Sequence, residues 1–367
     1  MDRRGFIKLA SAVSFSAVGA MSLNSCTSSN STTETSATSS SSDNANSNKV
    51  IVVMPPTSEP AAGFDPLIAW GCGEHMHEPL IQSTLVKTNV NLQFENDLAT
   101  QYSSSEEGLV WAFDIREDAK FSDGNRLTAH DVAFTLNTAS KMPASEVDLT
   151  MLDYAEAVTE FQVKIHLLKP FYPILYTLSV LGIVPAHAYG EGYGKSPVGS
   201  GRYLLESWDP GQKAVFTANP LYYGEKPNIK EFIVLFMSED AALAAIKANQ
   251  ADVSYTSSLM ANQVIEGFRL DEISTMDTRG ISLPCVASGG SKTVAGVAYK
   301  VGNDVTSNLE IRHAINLALD RESLVQDVMR GYAIPAYSIS PGAAWESEDM
   351  QCEYTMDAAA QMLKTAG

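Results

Sequence analysis

One stretch leaves this chain little freedom in what it can become: residues 120–141, KFSDGNRLTAHDVAFTLNTASK. Asp123-Gly124 is a turn dipeptide, since glycine accepts positive φ without a Cβ clash and aspartate can hydrogen-bond its own backbone. Thr128 is then placed to cap a helix with Asp131 at its third position, a capping-box spacing. Ala129, Val132, Ala133 and Leu136 follow at i, i+3, i+4 and i+7, which predicts one apolar stripe. Ahead of the turn, Val110-Trp111-Ala112-Phe113-Asp114-Ile115-Arg116 reads as a strand. The expectation is a strand, a reversal and a packed helix.

The wording of that unit, a strand, then F-S-D-G, then L-T-A-x-D-V-x-F-T, resembles the central signature of the solute-binding proteins that serve oligopeptide and nickel importers of the ATP-binding-cassette type. Further phrases extend the resemblance over nearly all of 50–367. Asp65-Pro66, Trp70-Gly71 and a strand over 80–87 resemble the family's opening. Ile183-Val184-Pro185-Ala186-His187 resembles its I-V-P-x-H passage, although 178–184 hold no arginine to grip a ligand carboxylate. Ser196-Pro197-Val198-Gly199-Ser200-Gly201-Arg202-Tyr203 resembles P-[IV]-G-[ST]-G-P-Y, with Arg202 in place of the proline; its glycines allow a tight chain crossing and suit a hinge. Asn219-Pro220-Leu221-Tyr222-Tyr223-Gly224, the D-V of Asp252-Val253, and I-R-x-A-I-N-x-A-x-D-R-x-x-L-V from Ile311 complete the set. Residues 354–367 resemble a segment after which relatives continue for well over a hundred residues, so the chain reads as truncated at its C-terminus.

The resemblance implies mixed α/β sheets in a two-lobed periplasmic-binding-protein-like fold with an extra domain, its last part missing. Residues 50–90 with 198–275 are expected as a discontinuous first lobe, 91–197 as a second domain and 276–367 as an incomplete third. Local patterning adds detail. A β-branched strand is expected over 50–54, and Val163, Ile165 and Leu167 should face inward with Lys164 and His166 outward. Ser238 should cap a helix burying Ala242, Ala245 and Ile246. A strand should follow Ile281, and a helix carrying Ile311, Ala314, Ile315 and Ala318 should close at Gly331.

Composition narrows the function classes. At 367 residues and 45% hydrophobic the chain can build more than one core. Formal charge is −18, and the first 25 residues contribute three bases against one acid, which leaves the remainder at −20. Such a body repels phosphate backbones, so no nucleic-acid partner is expected. Cys26, Cys72, Cys285 and Cys352 form no C-x-x-C pair, which indicates neither a zinc cage nor a dense disulfide framework.

Residues 1–26 read as an export signal. Arg3-Arg4-Gly5-Phe6-Ile7-Lys8 resembles the twin-arginine pattern, the apolar run over 9–23 is too short for a permanent span, and Leu23-Asn24-Ser25-Cys26 resembles a lipobox. Acylation of Cys26 would tether the protein outside the cytoplasmic membrane. Residues 27–49, almost wholly Ser, Thr, Asn and Ala, read as a disordered tether.

The resemblance implies a ligand cleft walled by Trp70, with Arg279 and Trp345 as further ligand-binding candidates. His75 and His77, flanked by Glu74 and Glu78, could hold Ni²⁺ or Cu²⁺ if a third donor converged on them. No resident cofactor is expected. Nickel, alone or as a chelate, is the first expectation for the transported ligand, and a di- or oligopeptide is the alternative. A membrane permease is the implied partner, and the protein is expected as a monomer. No G-x-S-x-G or H-E-x-x-H occurs, and Gly289-Gly290-Ser291-Lys292-Thr293 lacks the glycine before lysine of a phosphate loop. The chain therefore reads as a binding protein and not an enzyme, with a lipid-anchored hydrolase as the remaining alternative.

Overall fold

The computed structural model describes residues 49–367 apart from 69–70, 73–74, 77–78, 92, 274, 276, 295, 340, 342–345 and 367. The leader, Cys26 and the tether up to residue 48 lie outside the described residues, and Lys49, expected as the tether's last residue, already belongs to the first strand.

Strand β1 (Lys49–Met54) opens the chain. Two two-residue strands, β2 (Gly71–Cys72) and β3 (His75–Met76), pair with each other, and β4 (Val86–Thr88) pairs with β5 (Phe94–Asn96). The strand expected over 80–87 is thus confined to its last residues. The reason is that the backbone of 80–84 is engaged elsewhere: Leu80 O accepts from Tyr203 N, Ile81 O from Gly201 N, Ser83 O from Ile183 N and Thr84 O from Leu98 N.

An antiparallel sheet follows, built from β6 (Ala99–Ser104), β7 (Val110–Ile115), β8 (Leu152–Thr159) and β9 (Gln162–Leu167) in the order β6-β7-β9-β8. One face carries Trp111, Phe113, Ile115, Val163, Ile165 and Leu167, all buried, as the period-2 pattern requires. His166 sits on the outer face, where its ring stacks on Tyr154 at 4.2 Å. Helix α1 (Ala129–Ala139) covers the buried face with Ala129, Val132 and Leu136, and its predicted capping box forms: Thr128 N donates to Asp131 Oδ2 at 2.9 Å. Gly124 closes the preceding turn at φ +91°. Helix α2 (Ile174–Val180) adds Ile174 and Leu178 to the same core.

The second sheet contains β10 (Tyr203–Asp209), β11 (Lys213–Ala218), β12 (Glu231–Phe236) and β13 (Val253–Ser254), with β1 inserted to give the order β10-β11-β12-β1-β13. β1 runs parallel to both of its neighbours, with Ile51 opposite Ile233 and Val52 opposite Val253. Asp252 fixes that register by accepting Ile51 N on its carboxylate at 2.7 Å while its own N–H donates to Ile51 O. Helix α3 (Glu239–Lys247) buries Ala242, Ala245 and Ile246 against Val53, as expected. Ser238 has N-cap backbone geometry, yet its hydroxyl makes no capping bond. Instead the Glu239 carboxylate accepts from Ser257 and Thr256 and ties the helix start to the following loop.

The strand expected after Ile281 does not form: 277–285 are irregular and, Leu283 aside, exposed, with Pro284 interrupting the run. The next strands are β14 (Gly290–Val294) and β15 (Val297–Val301), a hairpin. Helix α4 (Leu309–Leu317) is capped by Asn308 and packs on α6 (Met356–Ala366), with Ala314 and Ala359 buried. The single helix expected up to Gly331 is broken after Ala318. Asp320 accepts Ser323 N and starts α5 (Arg321–Ser323), which passes into a π-turn over Leu324–Val328 and ends at Arg330 and Gly331, both at positive φ.

Candidate functional site

Segment 61–87, read from sequence as ligand-facing, meets segment 181–203 around 63–66 and again at 80–83. Phe64 N donates to Gly194 O at 2.8 Å, and Gly63, at φ +72°, lies where a Cβ would come within 2.7 Å of the same oxygen. Asp65 follows and is buried. Its Oδ1 accepts Leu67 N at 3.0 Å, the local loop that the Asp-Pro sequence favours, and its Oδ2 accepts the Tyr189 hydroxyl at 3.1 Å. Burial pushes the Asp65 carboxyl above the usual carboxylate range, opposed by the bonds from Leu67 and Tyr189. No lysine or arginine among the described residues pairs with it.

On the far side of the loop, Gln82 Nε2 donates to Phe64 O at 3.2 Å and lies 3.1 Å from the Tyr193 hydroxyl, which itself donates to Val198 O at 2.8 Å. Burial raises the Tyr193 and Tyr189 phenols, so both remain protonated donors. Gly199 and Gly201 press on the backbone of 80–82: a Cβ at Gly199 would lie 2.0 Å from Ile81 O. The tight crossing expected there is present.

A second junction joins the two sheets. The Tyr223 hydroxyl donates to Asp97 Oδ1 at 2.8 Å, Asp97 Oδ2 accepts Thr84 N at 3.3 Å, and the Arg116 guanidinium stacks 3.9 Å over the Tyr223 ring. A small cavity beside it, about 10 Å³ and lined by Gln82, Ser83, Asp97, Arg202 and Tyr222, has room for about one water. A larger open groove of about 480 Å³ lies at the far end of the β6–β9 sheet, next to Asp114 and Phe161. Hydrogen bonds from Gln101 and Gln162 hold the Asp114 carboxyl below its ordinary range.

The candidate residues fare unequally. Trp70, His77, Trp345 and Cys26 lie outside the described residues. The backbone of His75 pairs with Cys72 between β2 and β3, and its side chain is outside the described part. Arg279 is exposed on irregular chain and lines neither cavity. No group of three or more His, Cys, Asp or Glu side chains able to hold a metal occurs among the described residues. His187 is the histidine of the I-V-P-x-H phrase. Its Nε2 in fact lies 2.6 Å from Asp123 Oδ2 and 3.0 Å from Asn125, which pins the F-S-D-G turn.

The sequence profile described as bacterial extracellular solute-binding proteins, family 5, middle region, matches residues 93–367. The chain belongs to that family. Among its relatives, the probable D,D-dipeptide-binding periplasmic protein DdpA of Escherichia coli is 24% identical over 83% of this chain and 58% of its own length. Among solved structures, NikZ of Campylobacter jejuni in complex with Ni(L-His) superposes with a TM-score of 0.72 at 23% identity, covering 88% of this chain and 64% of that one. The oligopeptide-binding protein AppA of Bacillus subtilis, in complex with a nonapeptide, gives 0.66 at 24%, with 87% and 64% covered. At these identities the likeness establishes the fold: mixed α/β sheets of the two-lobed periplasmic-binding-protein kind. The chain spans less than two thirds of the length of each of these proteins.

Proposed function

We propose that this family member captures a small solute outside the cytoplasmic membrane and passes it to the permease of an ATP-binding-cassette importer. The observation that carries the reading is the family match over 93–367 together with the fold likeness over 88% of the chain. The first lobe is assigned to 50–90 with 198–275, supported by β1 lying between β12 and β13, the second domain to 91–197 and the third to 276–367. The leader is assigned to export and Cys26 to a lipid anchor, so the protein works tethered on the outer side of the membrane, as a monomer. Its action is recognition, with no bond made or broken: a ligand that binds the closed arrangement more tightly than the open one shifts the population toward closure.

Nickel or a nickel chelate is the first ligand reading, supported by the opening motif around Asp65-Pro66 and Trp70-Gly71 and by the NikZ likeness at TM-score 0.72. Di- or oligopeptides are the second, favoured by the likeness to DdpA and AppA. Thermal-shift titration of the purified protein with Ni(II) plus L-histidine, with Ni(II) alone and with a dipeptide panel separates them. A specific ligand at one hundred times its Kd stabilises by about 2.7 kcal/mol. Stabilisation by the nickel–histidine mixture alone supports the first reading, and stabilisation by dipeptides alone replaces it with the second. Turnover of a peptide or ester would overturn both.

A further inference from the structure

Three buried polar atoms among the described residues meet no hydrogen-bond partner: Ser83 Oγ, Trp111 Nε1 and Ser200 Oγ. A buried group left unpaired carries its full desolvation penalty, so each of the three calls for a physical account. Ser83 differs from the other two in lining the small cavity beside the Tyr223–Asp97 junction. It is 4% exposed, so bulk solvent does not serve its hydroxyl. The Tyr223 phenol stands near enough for Ser83 to counter part of the pKa rise that burial imposes on it, yet the two are not in hydrogen-bond geometry. That phenol's own proton already goes to Asp97 Oδ1 at 2.8 Å. Ser83 therefore has a proton to give and lone pairs to fill, and no protein group is placed to take either.

The cavity selects its occupant by size and by charge. Its volume of about 10 Å³ is that of roughly one water-sized sphere, which excludes any organic solute. Its lining includes both Asp97 and Arg202, so a bare cation meets an arginine there and an anion meets a carboxylate. A water suits both, because it donates and accepts. Asp97 has capacity for it: a carboxylate accepts at about four lone-pair sites, and the side-chain bonds described for this one come from Tyr223 and, at a long 3.3 Å, from Thr84 N. Gln82 and Tyr222 line the same space and bring the polar partners to the two to four that a buried water needs.

We propose that this cavity is a binding site for one structural water, bonded to Ser83 Oγ and donating to the Asp97 carboxylate. It bridges the chain at 82–84 to Asp97 and, through the Arg202 and Tyr222 side of the cavity, to the chain that follows Gly201. The junction of the two sheets is then completed by solvent at the one point where direct side-chain bonds leave Ser83 unserved. The site is independent of which solute the protein captures.

The test is oxygen-17 relaxation dispersion on the full chain, which counts waters held far longer than those of the surface. Wild type is compared with Ser83→Val, which replaces the hydroxyl by a methyl and adds a second methyl to fill the space. Ser103→Val, at an exposed position of β6, is the control. The expected result is a signal lower by one water in Ser83→Val and unchanged in the control; an unchanged signal in both overturns the site. Ser83→Ala supplies a second readout. Losing a hydroxyl that a water satisfies should lower Tm by about 1–4 °C, whereas losing one in a dry cavity should leave Tm equal or higher, which overturns the proposal. Exchanging sodium and potassium for tetramethylammonium should leave the wild-type Tm unchanged; a fall that is absent from Ser83→Val would assign the site to a metal ion and overturn the water. Should Ser83→Val fail to fold, a crystal structure of the wild-type chain decides: an oxygen within about 3.2 Å of both Ser83 Oγ and an Asp97 carboxylate oxygen upholds the site, and its absence refutes it.

Discussion

Replacing Gly199 with alanine should damage this protein far more than the change of one methyl group implies. The new Cβ would lie 2.0 Å from Ile81 O, 2.7 Å from Ile81 C and 2.9 Å from Ile81 Cγ2, and two of those three atoms are backbone. Reaching ordinary contact at 3.4 Å from the 2.0 Å approach requires the two segments to part by about 1.4 Å. That separation stretches Gly201 N–Ile81 O from 2.8 Å, Tyr203 N–Leu80 O from 3.1 Å and Ser122 N–Gly199 O from 2.8 Å beyond useful hydrogen-bond length. A buried polar group left unpaired costs about 1–3 kcal/mol, so losing two or three such bonds predicts a destabilisation of about 3–5 kcal/mol. Against a total of about 5–15 kcal/mol this is a large fraction. Urea unfolding followed by tryptophan fluorescence is the assay, since Trp111 and Trp208 lie in the two different sheets. With m near 2–3 kcal/mol/M, the midpoint should fall by roughly 1–2 M. Gly190→Ala is the control, because nothing lies within 4 Å of a Cβ there. Its effect should stay within about 0.5 kcal/mol. A Gly199→Ala protein within 1 kcal/mol of its parent would refute the claim that this crossing is closed by backbone contact.

Three further outcomes are expected. Phe113→Ala, which empties a fully buried position stacked against Tyr102, should cost about 3–5 kcal/mol by denaturant titration and leave the 290–301 hairpin unaffected in hydrogen exchange. Although burial alone would raise the Asp123 carboxyl, the bonds from His187 and Asn125 bring it below its usual value. Its contribution is therefore complete above the unfolded pKa and lost as pH falls through the folded one. Asp123→Asn should accordingly lower Tm at pH 5–7, and the difference should shrink well below pH 3.8. Limited proteolysis should cut first within 255–285, whose described residues hold no helix or strand and expose Leu259, Val264, Leu270, Ile273 and Ile281, and a fragment starting near residue 49 and ending near 255 should persist on a gel.

What could be read from the sequence was whatever repeats at a short period. The stripe of α1, the capping box of Thr128 and Asp131, the alternation of Val163, Ile165 and Leu167, and the buried face of α3 each follow from neighbours two to seven residues apart. The reading failed where the backbone was already engaged. Residues 80–85 carry a strand-like composition and do not form a strand, because the carbonyls of Leu80, Ile81 and Ser83 serve Tyr203, Gly201 and Ile183 far along the chain while those of Thr84 and Leu85 serve 97–99. It failed also where a short polar side chain restarts a helix, as Asp320 does, since a continuous apolar stripe conceals the break. The proposed ligand contacts lay beyond reach for another reason: Trp70 and Trp345 follow from the resemblance and His77 from its chemistry, none of them from a period, and they lie outside the described residues.

The family phrases nevertheless have a physical meaning that no local pattern states. Asp65 of the D-P phrase meets Tyr189, which follows I-V-P-x-H by two residues, and that phrase's His187 meets Asp123 of F-S-D-G. The glycines of P-V-G-S-G meet Ile81, and Tyr223 of N-P-x-Y-Y-G meets Asp97. Each phrase is one half of a contact whose other half stands far along the chain. A phrase is recognisable in sequence because such a contact admits few residue types at either end: a glycine where a backbone crosses, a carboxylate where a phenol or imidazole arrives. Its purpose is invisible there because the partner's distance carries no period. If that is right, exchanging both members of a pair for a shape-compatible apolar pair, as in Asp97→Leu with Tyr223→Phe, should restore more stability than either single change predicts. A double-mutant cycle over that pair should then return a coupling energy well above the ~0.5 kcal/mol within which independent sites add. A coupling inside that range would mean that the phrases mark turns alone.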